Sequence, residues 1–435
     1  MKGSSVAAML ICCGLISACG SFPGPSDYTT CQLPTEPFQI QSVTAGSGEH
    51  ELDMRHDARD ALLSSGHIKF APELPAAQAY SHCVTGAVVD ALVISGGGAD
   101  GAYGNGFLQK LIAQNQLGGT AWGQSITDPT GTTVIHPCVV TGVSAGAVLA
   151  PYVYLASSPN PATRAKYLPR LQTALFMSFT DSLLVQDRGI RALVSPAKYD
   201  VSKLKAYIQQ LIKDDQVLTD ITREYLATNR RIMVGATNIM SGKFEVIYLD
   251  ELAASAGNPN YPGDVATCFG ASIRASAAIP VTFDPVAIHD IAEPGAAPKD
   301  KIYVDGGARR MFFLGADLFN RVGPHDAAHR IFAVVNNTFI LDIKQPPLNI
   351  LDIAENSAKI AADQLYRDDI TQLGDFSSLK GRNIFWSILN SQAEETNACA
   401  NTKSASSDLF PHAYEVCLYQ LGEEHASRAS PWHRH

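Results

Sequence analysis

The sequence predicts an α/β protein with a mainly parallel central sheet flanked by helices. Three observations carry the prediction. The chain runs twice from an apolar, β-branched stretch through a glycine-rich corner into helix-forming sequence, at residues 87–95 and again at 138–141. Both stretches are apolar on consecutive residues, the pattern of strands buried on both faces. With 435 residues, 46% hydrophobic and 17% charged, the chain can also bury a large core, as one big domain with insertions or an appendage.

The N-terminus holds Lys2, an apolar core from Val6 to Ile16 and the run Ile16-Ser17-Ala18-Cys19. That core is too short to span a bilayer. It resembles a bacterial lipoprotein signal, which implies a signal peptide over residues 1–18 and Cys19 as the lipidated first residue of the mature chain. Acyl chains on Cys19 would anchor the protein in the cell envelope, and Gly20 after the cysteine favours the outer membrane. An ordinary secretory signal with an incidental cysteine is the alternative. Residues 19–85 form a lipid-anchor tether and N-terminal extension, with a Pro, Ser and Thr rich, flexible stretch from Gly20 to about Pro37 and a helical rhythm between 50 and 70.

The main domain spans residues 86–345. Its first strand, 87–95, runs into Gly96-Gly97-Gly98-Ala99-Asp100-Gly101, and 102–114 follows as a helix with Phe107, Leu108, Leu111 and Ile112 on one face. After a Gly, Thr and Pro rich loop over 118–137 comes the second strand, then a mostly helical region over 160–230. Residues 231–237 and 244–248 read as a hairpin turning at Ser241-Gly242-Lys243. Small residues over 270–280 suit a closely packed helix, 301–304 is a short strand turning at Asp305-Gly306-Gly307, and 330–335 is one more buried strand. Residues 346–435 read as a C-terminal helical extension and tail, with a long amphipathic helix over 349–366 and a frayed end at 431–435.

The formal net charge of −9, without a long Lys/Arg run, argues against nucleic acid as the main partner. Beyond Cys19, the cysteines of the mature chain are Cys31, Cys83, Cys138, Cys268, Cys399 and Cys417, an even number that permits disulfides in an exported protein. Cys399 and Cys417 flank one polar stretch and are the favoured pair. Cys138 is equally explained as a small buried core residue.

The chemistry centres on Gly142-Val143-Ser144-Ala145-Gly146. A serine at a sharp strand-to-helix corner presents its hydroxyl beside the unpaired N–H groups of a helix N-terminus, where a developing oxyanion is favoured. Gly96-x-Gly98-x-x-Gly101 admits two readings. It is the dinucleotide fingerprint if a second strand ends in an acid some twenty residues on, but Asp128 lies in a loop. Otherwise the bare N–H groups of Gly96, Gly97 and Gly98 form an oxyanion hole beside Ser144, together with Ala145. Asp305, before Gly306 and Gly307, is a candidate base or simply a turn-forming aspartate.

These three motifs, in this order on an α/β chain, resemble the patatin-like phospholipase family across roughly residues 91–340. Arg274-Ala275-Ser276-Ala277-Ala278-Ile279-Pro280 and Ala236-Thr237-Asn238 are similar to further segments of it. The resemblance implies a serine acyl hydrolase of phospholipase A or lysophospholipase type acting on membrane lipids, with a Ser144–Asp305 dyad, an acyl-enzyme, and neither metal nor cofactor. Asp305 as base needs a partly dry pocket to raise its pKa. The family often carries Arg or Lys where this chain has Asp100, which is expected to point outward and cap the following helix. Two alternatives remain: a Ser-His-Asp esterase using His289, His325 or His329, and a non-catalytic surface lipoprotein with a lipid-binding or interaction role.

Overall fold

The computed structural model describes residues 28–37, 74–119, 134–174, 197–291 apart from 215, 297–314, 327–338, 363–371, 382–390 and 410–434, with isolated positions between them. The strands are β1 (Thr29–Cys31), β2 (Thr35–Pro37), β3 (Val88–Ile94), β4 (Pro137–Val143), β5 (Gln186–Asp187), β6 (Tyr199–Asp200), β7 (Arg231–Asn238), β8 (Lys243–Tyr248), β9 (Val286–Asp290), β10 (Lys299–Asp305), β11 (Ala328–Thr338), β12 (Arg382–Asn390) and β13 (His433–Arg434). The helices are α1 (Leu74–Thr85), α2 (Gly101–Ala113), α3 (Ala145–Ala156), α4 (Pro161–Ala174), α5 (Ser202–Asp214), α6 (Val217–Thr228), α7 (Leu249–Ala254), α8 (Val265–Ala277) and α9 (His412–Ala426). Residues 363–371 form a further helix.

Among the described residues eleven strands make one sheet in the order β1-β9-β10-β7-β4-β3-β11-β12-β13, with β8 on β7 and β2 on β8, and β5–β6 is a separate ribbon. Its centre, β7-β4-β3-β11-β12, is parallel throughout. Alternate residues of the central strands enter two cores. Leu92, Ile94, Val140, Ile232, Val234, Phe332 and Val334 face one layer, and Ala91, Val93, Val139, Met233, Ile331 and Ala333 the other. Both faces are covered, which is why these strands are apolar at nearly every position.

One feature of the sheet positions the site. Residues 233–235 of β7 pair with β8 on one edge and β4 on the other. Over 236–238 β8 continues, so antiparallel β10 takes the edge that β4 has left. The C-terminal ends of β4 and β10 therefore meet head to head, at Gly235 and Ala236.

Three expectations need correction. The stretch before Pro37 is not all tether, since β1 pairs with β9, β2 pairs with β8, and Cys31 is joined to Cys268 of α8. Beyond residue 345 the chain is not only helical, because β12 extends the parallel sheet beside β11. The end is not frayed at 433–434, where β13 pairs with Phe385 and Trp386 while Trp432 packs edge-on against Phe107 and Phe332. Cys138, for which the sequence leaves both readings open, is paired with Cys83 and is also buried in the core. The favoured Cys399–Cys417 bridge is present. Within the long helix expected over 349–366, every described position (353, 357, 360, 361 and 363–366) is helical and the helix runs on to 371, while Cys19, Asp128, His325 and the 50–70 stretch lie outside the described residues.

Helix α9 lies against α2 at a glycine crossing. A Cβ on Gly106 would stand 2.0 Å from the Tyr419 carbonyl oxygen, and one on Gly422 2.2 Å from that of Tyr103. The helix that follows the glycine loop is thus locked to the C-terminal helix by backbone contact. Among the described residues no helix is long and apolar enough to cross a membrane.

Candidate active site

Ser144 occupies the corner between β4 and α3, with φ 54° and ψ −120°. Positive φ is uncommon for a residue with a Cβ. Two close backbone approaches hold it there: a Cβ on Gly142 would lie 2.3 Å from the Gly146 carbonyl oxygen, and one on Gly146 2.2 Å from that of Ile94. The glycines flanking Ser144 are therefore required by contact. The Ser144 N–H donates to Ser276 Oγ (3.0 Å), whose own hydroxyl donates to the Gly235 carbonyl (2.6 Å). The Ser144 carbonyl accepts from Ala147 and Val148, opening α3.

Asp305 ends β10 and is 4% exposed. Its N–H donates to the Ala278 carbonyl (2.8 Å) and its Oδ1 accepts from the Gly307 N–H (2.6 Å). Burial pushes its carboxyl up to about 7, against the hydrogen bonding of the Ser144 hydroxyl and the Gly307 N–H. Oδ2 has no partner at good hydrogen-bond geometry. The Ser144 hydroxyl and Asp305 are thus apposed but slack, as acid–base pairs commonly are before substrate aligns them. The segment 274–280 is the splice between them, Ser276 holding one residue and Ala278 the other.

The glycine loop lies against the same serine. A Cβ on Gly96 would stand 3.1 Å from Ser144 Cβ. The Gly96 N–H, however, donates to the Met311 carbonyl (3.0 Å), so this N–H is removed from the expected oxyanion donors. The N–H groups of Gly97, Gly98 and Ala145 make no hydrogen bond among the described residues. Gly97 and Gly98 have φ 153° and 57°, and a Cβ on Gly97 would strike the Asn336 carbonyl. Gly101 begins α2, Gly306 abuts the Gly235 carbonyl, and Gly307 lies against Met311.

Asp100 departs from expectation. It makes no side-chain cap to α2; its Oδ1 instead accepts from the Tyr414 hydroxyl of α9 (2.8 Å). A phenol from the C-terminal helix satisfies the carboxylate that was expected to serve the helix N-terminus.

The two described candidate histidines, His289 and His329, stand away from Ser144. His289 bonds Asp300 (2.5 Å) and stacks on Tyr28, and Asp300 is five residues up β10 from Asp305, roughly 17 Å along the strand. His329 faces Val89 at the opposite end of the parallel sheet, five residues below the register of Ile94 with Gly142, again roughly 17 Å away. Among the described residues, no group of three or more His, Cys, Asp or Glu is arranged to hold a metal ion.

Sequence reasoning missed a polar cluster behind the glycine loop. Ser95 Oγ donates to the Gly96 carbonyl (2.8 Å), Asn336 donates through its N–H to Ser95 Oγ (2.8 Å) and through Nδ2 to the Ser95 carbonyl (3.0 Å), and the Tyr366 hydroxyl also donates to the Gly96 carbonyl (2.5 Å). Ser95 and Asn336 each follow an apolar run directly, the one signal that could have found them.

Fold and site define an α/β protein with a serine at a strand–helix corner apposed to a buried aspartate. The patatin-like phospholipase family model matches residues 92–318, just over half of the chain, and the chain belongs to that family. Among solved structures, the crystal structure of VipD from Legionella pneumophila is similar at 13% identity and a TM-score of 0.27, covering 77% of this chain and 67% of that one. No curated protein matches the chain.

Proposed function

We propose that the chain hydrolyses acyl esters of membrane lipids, as a phospholipase A or lysophospholipase, through Ser144 and Asp305. The observation that carries the reading is the buried aspartate apposed to a strained serine, at the meeting of β4 and β10. Ser144 Oγ attacks the ester carbonyl while Asp305 takes its proton. The tetrahedral oxyanion is held by the N–H groups of Gly97, Gly98 and Ala145. Collapse expels the alcohol, which leaves with the proton from Asp305. Water then attacks the acyl-enzyme, again giving its proton to Asp305, and the fatty acid departs as Ser144 regains a proton. A carboxyl with a pKa near 7 is a far better base than a solvated one near 3.8.

The reading extends to location. The chain acts from the cell envelope, held by lipidated Cys19, and the three disulfides support an oxidising compartment. Mass spectrometry of defined phospholipid and lysophospholipid vesicles, incubated with the native protein and with Ser144→Ala, tests the activity. Free fatty acid is expected from the native protein alone. Ser144→Ala turnover within about tenfold of native would sink the assignment. A native protein that yields no product and takes no serine-directed phosphonate would favour instead a non-catalytic surface lipoprotein with a lipid-binding or interaction role.

A further inference from the structure

Helix 363–371 lies beyond the segment that the family model matches, yet two of its buried side chains reach the glycine loop and the loop after Asp305. Tyr366 and Asp369 are three residues apart and so share one helix face. The Tyr366 hydroxyl donates to the Gly96 carbonyl, as Ser95 Oγ does. Asp369 is held by Arg310 (2.9 Å) and accepts the Met311 N–H (2.8 Å), and the Met311 carbonyl in turn accepts the Gly96 N–H (3.0 Å). Gly96 is thus fixed at both ends, by Tyr366 directly and by Asp369 through Met311.

The consequence follows from peptide geometry. The carbonyl of Gly96 and the N–H of Gly97 belong to one planar trans unit and point in opposite directions. Two donors that pin the carbonyl from behind therefore aim the Gly97 N–H the other way, and they polarise it as well. Gly96 itself lies against Ser144, its missing Cβ 3.1 Å from the serine Cβ and 3.2 Å from Met311 Cε.

Building on the hydrolase reading above, we propose that Tyr366 and Asp369 are positioning residues that aim the Gly97 N–H at the oxyanion formed on Ser144. Helix 363–371 is then a working part of the active site, and the C-terminal segment supplies more than stability.

The test uses full-length Tyr366→Phe and Asp369→Asn. Each is assayed on a soluble ester, with active sites counted by a serine-directed phosphonate and with the affinity of a trifluoromethyl ketone measured as a transition-state mimic. Removing a whole oxyanion donor slows turnover roughly 100- to 1,000-fold. Loosening one by losing one of its two anchors is expected to lower kcat per titrated site about 10-fold for Tyr366→Phe, with KM changed less than about 3-fold. Ketone affinity should fall in parallel. Asp369→Asn, acting one residue further back, should show the same pattern at about 3- to 10-fold, and it decides the matter if Tyr366→Phe does not fold. A merely structural role would lower the melting temperature and the number of titratable sites but leave kcat per site and ketone affinity unchanged. That result in the folded variants overturns the proposal. If the native protein takes no phosphonate on Ser144, the hydrolase reading fails, and the positioning role with it.

Discussion

Asp305→Asn is expected to remove turnover and, at the same time, stabilise the protein. Burial raises the Asp305 carboxyl from near 3.8 to about 7 in the folded chain. Between those values the native state holds a proton that the unfolded chain has lost, so stability falls as pH rises through this window. Above pH 7 the full penalty applies, at most about 4 kcal/mol at 1.36 kcal/mol for each pKa unit. Asparagine is neutral, keeps an Oδ1 to accept the Gly307 N–H, and places its amide where Oδ2 now has no well-placed partner. Some of the gain is offset by the amide's own burial, leaving about 1–3 kcal/mol, or a few degrees in Tm. At pH 4 the two proteins should melt nearly together, since the aspartate is then neutral in the folded chain and only a little over half ionised in the unfolded one, which leaves about 0.6 kcal/mol of the penalty. Turnover on a soluble ester should fall roughly 100- to 10,000-fold, the range for losing a general base. In the native enzyme, kcat/KM should rise with pH along a limb centred near 7. Calorimetry at pH 8 and pH 4, with kinetics on the same samples, tests both halves. An active Asp305→Asn enzyme would refute the base, and an unchanged melt at pH 8 would refute the burial penalty.

Two further outcomes are expected. His136 is fully buried against His82 and Trp122, neither of its ring nitrogens has a hydrogen-bond partner among the described residues, and burial lowers its pKa to about 3. The unfolded chain takes a proton near 6.5 that the folded chain refuses until about 3, so stability is lost as pH falls through that window, by about 3 kcal/mol at pH 4.5. Denaturant melts of native protein and His136→Phe at pH 7.5 and 4.5 should show a smaller acid loss in the variant, and identical losses would refute the account. Cys19→Ser should leave the protein unlipidated and released from membranes, as intact mass and fractionation would show; a membrane-bound variant with the native mature mass would refute the anchor.

Much of the core was legible because it rests on local pattern. The strands around Ala91 and Val140 are apolar on consecutive residues for the simple reason that both faces are covered, and the corner at Ser144 carries glycines because Cβ atoms there would strike backbone. What escaped depends on partners far off in sequence. β1 and β2 are three residues each, too short to show a period, and they exist by pairing with β9 and β8. Asp100 looks like a helix cap until Tyr414, far along the chain, takes its carboxylate. Tyr366 and Asp369 resemble any buried face of an amphipathic helix, because nothing nearby in sequence records that one meets Gly96 and the other Met311.

The same distance explains how the site can hold its strain. Ser144 has a positive φ, as does Val281 (68°), a β-branched residue just beyond the segment that joins Ser144 to Asp305. Each conformation costs on the order of 1–3 kcal/mol and persists only where neighbours over-determine it. Here the neighbours come from both flanks. The Cys31–Cys268 bridge fastens β1 to α8, the helix whose end supplies Ser276 to the Ser144 N–H and leads to the Ala278 carbonyl that takes the Asp305 N–H. Asn336, Tyr366 and Asp369 restrain the glycine loop and Met311 from the other side. A buried carboxylate and a strained serine can coexist at one spot because segments at both ends of the chain close around them. A version trimmed to residues 92–318 would keep every motif and lose most of these restraints, which ties the geometry of the site to the flanking segments.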